Sequence, residues 1–218
     1  MLKNKKFLTI SIILFLICIG LSINFPNDYT LGAKASVNNI PITKDSGINY
    51  KGVIWLFFFV ISLYFLAKAL KKYKARIIIL AIIISAVSPP YLTYAYQNTI
   101  ATGIYAISYE SQNSECNFDK VNERTLHGVC ELNFKNYSSK AVHFNVDFYD
   151  KYPFEEEVQM LSLMKIGAPY SVNLAGNETK RVKIETDIDL SKMKHHIDGG
   201  GSNDVHIMIS SGDKTRKL

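Results

Sequence analysis

The sequence predicts three transmembrane helices followed by an all-β antiparallel sandwich. Three observations carry that expectation: a lopsided distribution of charge, three long apolar runs in the first half, and a change of apolar period from helical to two after Gly103.

The chain has 218 residues, with 25 Lys and Arg against 19 Asp and Glu, a net charge of +6. Residues 1–96 hold 11 of the bases but only Asp28 and Asp45 among the acids, whereas residues 97–218 hold 14 bases and 17 acids. The basic excess therefore belongs to lysines that flank apolar runs, not to a folded basic face. That removes the main argument for nucleic acid as a partner. The same boundary separates an expected membrane domain, 1–96, from an expected extracytoplasmic domain, 97–218.

The first apolar run, Phe7 to Phe25 (FLTISIILFLICIGLSINF), carries no charge. At about 1.5 Å per residue its length is enough to cross a hydrocarbon core of roughly 30 Å. Gly52 to Leu70 is similar, and its one charge, Lys68, lies close enough to the end to reach the interface. The third run, IIILAIIISAVS from Ile77, covers only about 18 Å before Pro89 and Pro90. To span, it must continue through both prolines to Tyr96, with Ser85 and Ser88 placed to satisfy freed carbonyls and Tyr91, Tyr94 and Tyr96 forming an interfacial belt. The alternative is a helix that stops at the prolines and a loop that dips back. Spans are thus expected at about 7–25, 52–70 and 77–96.

Orientation follows Lys and Arg in short loops, because these are costly to translocate. Lys3, Lys5 and Lys6 precede the first span, and Lys68, Lys71, Lys72, Lys74 and Arg76 join the second to the third, with no acid among them. The connection 26–51 has Lys34, Lys44 and Lys51 against two aspartates. A multi-pass protein of the cell membrane is expected, N-terminus cytoplasmic and residues 97–218 outside. A secretory signal is the rival for the first run, since "AKA" at Ala33–Ala35 resembles a cleavage site. It lies well beyond an apolar stretch that is itself long for a signal, so an uncleaved anchor is expected. Cys18 reads as an apolar core residue. The spacing of Ala81 and Ser85 suits close packing against another helix.

After Gly103, "AVHFNVDFYD" puts Val142, Phe144, Val146 and Phe148 on one face and His143, Asn145, Asp147 and Tyr149 on the other. "GVCELNF" turns Cys130, Leu132 and Phe134 inward, and "IYAISYE", "YSVNL", "RVKIET" and "DVHIMIS" supply further strands. "NYSSK" (136–140) and "AGNE" (175–178) read as turns. Six or seven short strands in about 120 residues argue for a sandwich. The stretches "CELNFKNYSSKAVHFNVDFYD" and "VNLAGNETKRVKIET" also resemble the strand-and-turn pattern of bacterial immunoglobulin-like or fibronectin-like extracytoplasmic modules. That resemblance implies a fold and a tendency to bind or to space, and it brings no catalytic residues.

Cys116 and Cys130 lie in the part expected outside the cytoplasm, where a disulfide is the natural reading. The alternative is two thiols, with Cys130 filling the core face of its strand. Other chemistry is thin. His195, His196 and His206, with Asp198 and Asp204, form the one cluster that suits a divalent metal. Adjacent histidines on an extended chain point opposite ways, though, and His206 is expected on the solvent side of Val205, Ile207 and Ile209. "GGGSND" lacks the Lys and Ser or Thr of a phosphate loop and reads as a hairpin or irregular connection. "EEE" at 155–157 reads as a solvated face. His127 near Cys130 invites a nucleophile reading without a third orienting group. Asn136 and Asn177 begin glycosylation sequons.

The function expected from this is non-enzymatic and without cofactor: an integral membrane protein, in contact with lipid, whose sandwich binds an envelope protein or a secreted peptide. An accessory subunit of a transporter and a metal-assisted envelope enzyme using His195 to His206 are the alternatives.

Overall fold

A computed structural model describes residues 2–23, 25, 33–37, 40–44, 47–48, 50–149, 161–191, 198–203 and 205–218. The chain forms two compact units, Met1–Phe25 with Thr30–Ala95 and Pro26–Tyr29 with Tyr96–Leu218.

The first unit has three helices long and apolar enough to cross a membrane: α1 (Lys5–Ser22), α2 (Tyr50–Ala69) and α3 (Lys74–Thr99). α1 starts where it does because the Asn4 side chain accepts hydrogen bonds from the amides of Lys6 and Phe7, at 3.0 and 3.4 Å, satisfying two donors that a helix start leaves open. α3 runs unbroken through Pro89 and Pro90, so the chain does not dip back there. Part of the connection 26–51 is a small antiparallel sheet of β1 (Ala33–Val37), β2 (Ile40–Lys44) and β3 (Gly47–Ile48). The "AKA" tripeptide lies in β1.

α1 and α2 pack antiparallel in a register that repeats every seven residues. Ser11 Oγ donates to the Ser62 carbonyl (2.9 Å), and Ser62 Oγ donates back to the Ser11 carbonyl (3.0 Å). Two turns on, Trp55 Nε1 donates to the Cys18 carbonyl (2.9 Å), and the Cys18 thiol lies 3.8 Å from the Trp55 carbonyl. Both pairs fall in one antiparallel register, and small Ser and Cys side chains let the backbones approach closely enough to make them. Cys18 is buried, as its reading as a core residue requires, against Trp55 and Phe59, whose rings stack at 4.9 Å.

The second unit is all antiparallel β. Its strands are β4 (Ile107–Tyr109), β5 (Glu115–Asn122), β6 (Thr125–Asn136), β7 (Val142–Phe148), β8 (Tyr170–Leu174), β9 (Thr179–Asp189), β10 (Gly199–Asn203), β11 (Ile207–Ser211) and β12 (Lys214–Lys217). One sheet runs β10-β5-β6, with β4 and β9 also pairing β6; the other runs β12-β11-β7-β8. Strict alternation makes the core. On β6, Leu126, Cys130, Leu132 and Phe134 are buried, and on β7 so are Val142, Phe144, Val146 and Phe148. These faces meet in one hydrophobic cluster, where Phe134 and Phe144 pack edge to face at 5.4 Å, an arrangement aromatic quadrupoles favour.

The two predicted turns sit against each other. Asn136, wholly buried, donates through Nδ2 to the carbonyls of Lys140 (2.8 Å), Ala175 (2.8 Å) and Leu174 (3.4 Å). Its Oδ1 accepts from the Ser138 amide at 2.9 Å. Gly176 has no substitute here, since a Cβ would meet the Ser139 carbonyl oxygen at 2.2 Å. With its amide nitrogen enclosed, Asn136 is not an acceptor for glycan in the folded unit, whatever its sequon.

Candidate functional site

In the helical unit, the antiparallel pairing of α1 and α2 decides where the cations go. Leu2 bridges to Leu70, and the Lys3 amide donates to the Ala69 carbonyl at 2.7 Å. Lys3, Lys5 and Lys6 are thereby brought to the same end of the hairpin as Lys68, Lys71, Lys72, Lys74 and Arg76. All eight side chains are exposed. Lys68 lies over the Tyr64 ring and Arg76 over that of Tyr73, 5.6 and 5.5 Å from the centroids. Tyr73 takes a positive φ of 61°, which turns the chain from α2 into α3 within four residues.

In the β unit, Cys116 and Cys130 are bonded and face each other across the β5–β6 ladder. The segment between them is that hairpin itself, with its turn at Glu123 and Arg124. Both cysteines are fully buried, so the bond serves as a covalent rung in the core. It also consumes the thiol that a nucleophile role for Cys130 would need. His127 points to the outer face, where its Nδ1 lies 2.6 Å from Asp187 Oδ1.

That outer face carries a ladder of ions across β5, β6 and β9. Arg181 reaches Glu115 at 2.9 Å and Glu131 at 2.5 Å, and Lys183 pairs with Glu185. The hydrogen bond and charge of Lys183 hold the Glu185 carboxyl below its ordinary range, and the same contact raises the Lys183 amine. Beside the ladder is an open cleft of about 410 Å³ lined by Glu110, Asn113, Asn133, Phe134, Lys135, Thr179 and Arg181. Asn113 holds the Glu110 carboxylate at 3.0 Å, and Asn133 donates to the Asn113 carbonyl at 2.5 Å. The walls thus offer amides and a hydroxyl beside both signs of charge, chemistry suited to hydrogen-bonding a polar chain.

A second cleft, about 370 Å³, lies within the second unit, lined by Gln97 to Thr102, Tyr137 to Lys140 and Asn177. Gln97 and Arg216 both bond the segment from Ile104 to Ile107 within that unit. Gln97 Nε2 donates to the carbonyls of Tyr105 (3.3 Å) and Ile107 (3.1 Å). Arg216, wholly buried on β12, donates through Nη1 to Ile104 (2.6 Å) and Ile107 (2.7 Å). Sequence reasoning passed over both. Arg216 sits in "KTRKL", where nothing separates a buried guanidinium from surface charge.

The metal candidates are scattered. His195, His196 and Asp204 lie outside the described residues, as does "EEE" at 155–157. Asp198 pairs with Lys120 at 2.6 Å. His206 corrects its expected placement. It is fully buried, not solvent-facing, because regular alternation begins only at Ile207, where β11 starts; Val205, His206 and Ile207 are all enclosed, the His206 ring 5.9 Å from that of Tyr149. "GGGSN", expected as a hairpin or irregular connection, is the strand β10, which pairs with β5 along its length.

Compared with protein-family models, with curated proteins and with solved structures, the chain matches none.

Proposed function

We propose that this chain is a non-enzymatic, multi-pass protein of the cell membrane that displays residues 97–218 outside the cytoplasm to bind an envelope protein or a secreted peptide. One observation carries the topology: the Leu2–Leu70 bridge gathers eight of the nine cations on or beside the three helices at one end of the α1/α2 hairpin, leaving Lys51 at the start of α2. Cations so gathered favour the cytoplasmic side. α3 starts at that end, and its 26 residues cover about 39 Å at 1.5 Å each, enough to cross a hydrocarbon core of roughly 30 Å. A disulfide in that unit fits an oxidising compartment.

An immunoglobulin-like reading of the β unit finds support in strand order. The chain changes sheet between β6 and β7, returns between β8 and β9, and changes again between β10 and β11, the crossing connectivity of that class of sandwich. The cleft between Glu110 and Arg181 is the surface we assign to the partner. The test places a photo-crosslinking residue at Asn113 or Thr179 in intact cells, with a reporter fused after Leu218. A discrete protein adduct with a reporter active only outside supports the reading. A reporter active only inside sinks the topology, and adduct-free monomer sinks the partner.

A further inference from the structure

We infer that the basic end of the helical hairpin is a binding surface for anionic phospholipid headgroups, not merely a set of topology signals. The inference rests on the membrane-spanning reading proposed above. Topology needs only an excess of Lys and Arg on one side, and the two segments would satisfy that independently of each other in space. The fold goes further and ties them together. The Lys3 and Asn4 amides both donate to the Ala69 carbonyl, at 2.7 and 3.3 Å, so the leading segment closes onto the end of α2 instead of trailing from α1. The tight turn at Tyr73 then sets Lys74 and Arg76 beside Lys71 and Lys72.

The result is a collar of eight exposed cations with no acid among residues 2–23 or 50–96. Among the described residues, every ion pair is made by cations outside this collar. In the β unit, by contrast, Lys120, Arg181 and Lys183 each have a carboxylate. Beyond the collar along α1 and α3, Ile10, Ile12, Ile13, Ile79 and Leu80 are exposed, an apolar surface of the kind acyl chains cover. A ligand that presents a phosphodiester anion at the edge of a hydrocarbon layer meets both demands at once, and clustered cations at a bilayer surface attract such lipids with a strength that grows with each charge.

The test uses the full-length protein in phosphatidylcholine bilayers with trace spin-labelled phosphatidylglycerol or spin-labelled phosphatidylcholine, and reads the motionally restricted fraction of each. Expected is a relative association several-fold higher for the anionic label. It should fall towards one in 1 M salt, where charges beyond about 3 Å are screened, and in a K71Q/K72Q/K74Q variant. A K3Q/K5Q/K6Q variant should lose part of the preference, since the fold puts both segments on one surface. Equal restriction of the two labels overturns the inference and leaves the membrane reading standing, as does a preference that neither salt nor substitution changes. Absence of restricted lipid of either kind overturns both.

Discussion

The two units of this chain solve the same packing problem for opposite solvents. In the β unit, Phe134, Phe144 and Phe148 are enclosed while Arg181, Lys183 and Glu185 face out. In the helical unit, Ile13, Leu16 and Phe57 are more than half exposed, and among the groups enclosed are the hydroxyls of Ser11 and Ser62. Inversion of that kind is what a hydrocarbon surrounding demands, because lipid removes the advantage of burying Leu or Ile while raising the cost of an unpaired polar group. The holding interactions differ accordingly. The β unit relies on apolar burial plus one covalent rung, and the hairpin of α1 and α2 on small residues and paired side-chain donors.

That contrast is sharpest at the disulfide, and the largest effect is expected there. Replacing Cys116 and Cys130 by alanine removes a cross-link closing 14 residues of chain, worth about 3 kcal/mol in the chain-entropy account. Hydrogen exchange on the full-length protein should show faster exchange across β5, β6 and β9, with α1 and α2 unchanged. Acceleration in the helices as well would mean that the two units do not hold their stability separately.

How much of this was legible beforehand divides along the same line. The apolar helices and the alternating strands β6 and β7 announce themselves because a long uncharged run or a strict period of two has one physical interpretation. β10 did not: three glycines carry no face to alternate, and only pairing with β5 makes the segment a strand. β5 carries a weak signal, because only Cys116 and Phe118 alternate inward before the strand turns fully exposed. His206 departs from its expected solvent side because strict alternation starts only with β11 at Ile207, and Val205 and His206 before it are both enclosed. Arg216 and Gln97 were missed for a deeper reason, since their role is to satisfy carbonyls at Ile104, Tyr105 and Ile107 that become enclosed only once the sheets have packed. The clefts are likewise products of packing, drawn from segments far apart in sequence.

The serine pair of the helical hairpin gives a smaller effect and a cleaner one. Ser11→Ala and Ser62→Ala each delete one donor of a reciprocal pair, and interhelical hydrogen bonds of this kind in bilayers average about 0.6 kcal/mol by double-mutant cycle. A cycle built from both variants, followed by unfolding of the hairpin in bicelles, should return a coupling of that order, with the β unit unaffected. Zero coupling would mean that shape alone, through Trp55 and Phe59, holds α1 against α2.

The smallest expected effect belongs to the outer face of the β unit and depends on pH. Glu185 is held below its ordinary 4.5 by Lys183, so the folded state binds a proton less readily than the unfolded chain does. Its contribution is present at neutral pH and is lost as pH falls through the lowered folded value. Lys183 is raised above its ordinary 10.5 by the same contact, so its contribution is present below that pH and is lost as pH rises through the raised value. Both groups are open to water, where ion pairs are worth little. Thermal unfolding of wild type and Glu185→Gln should therefore differ slightly near pH 7 and converge in acid. A wild type less stable than Glu185→Gln near pH 7, again converging in acid, would reverse the sign and show that Glu185 is destabilising, its repulsion by Asp187 outweighing its attraction to Lys183.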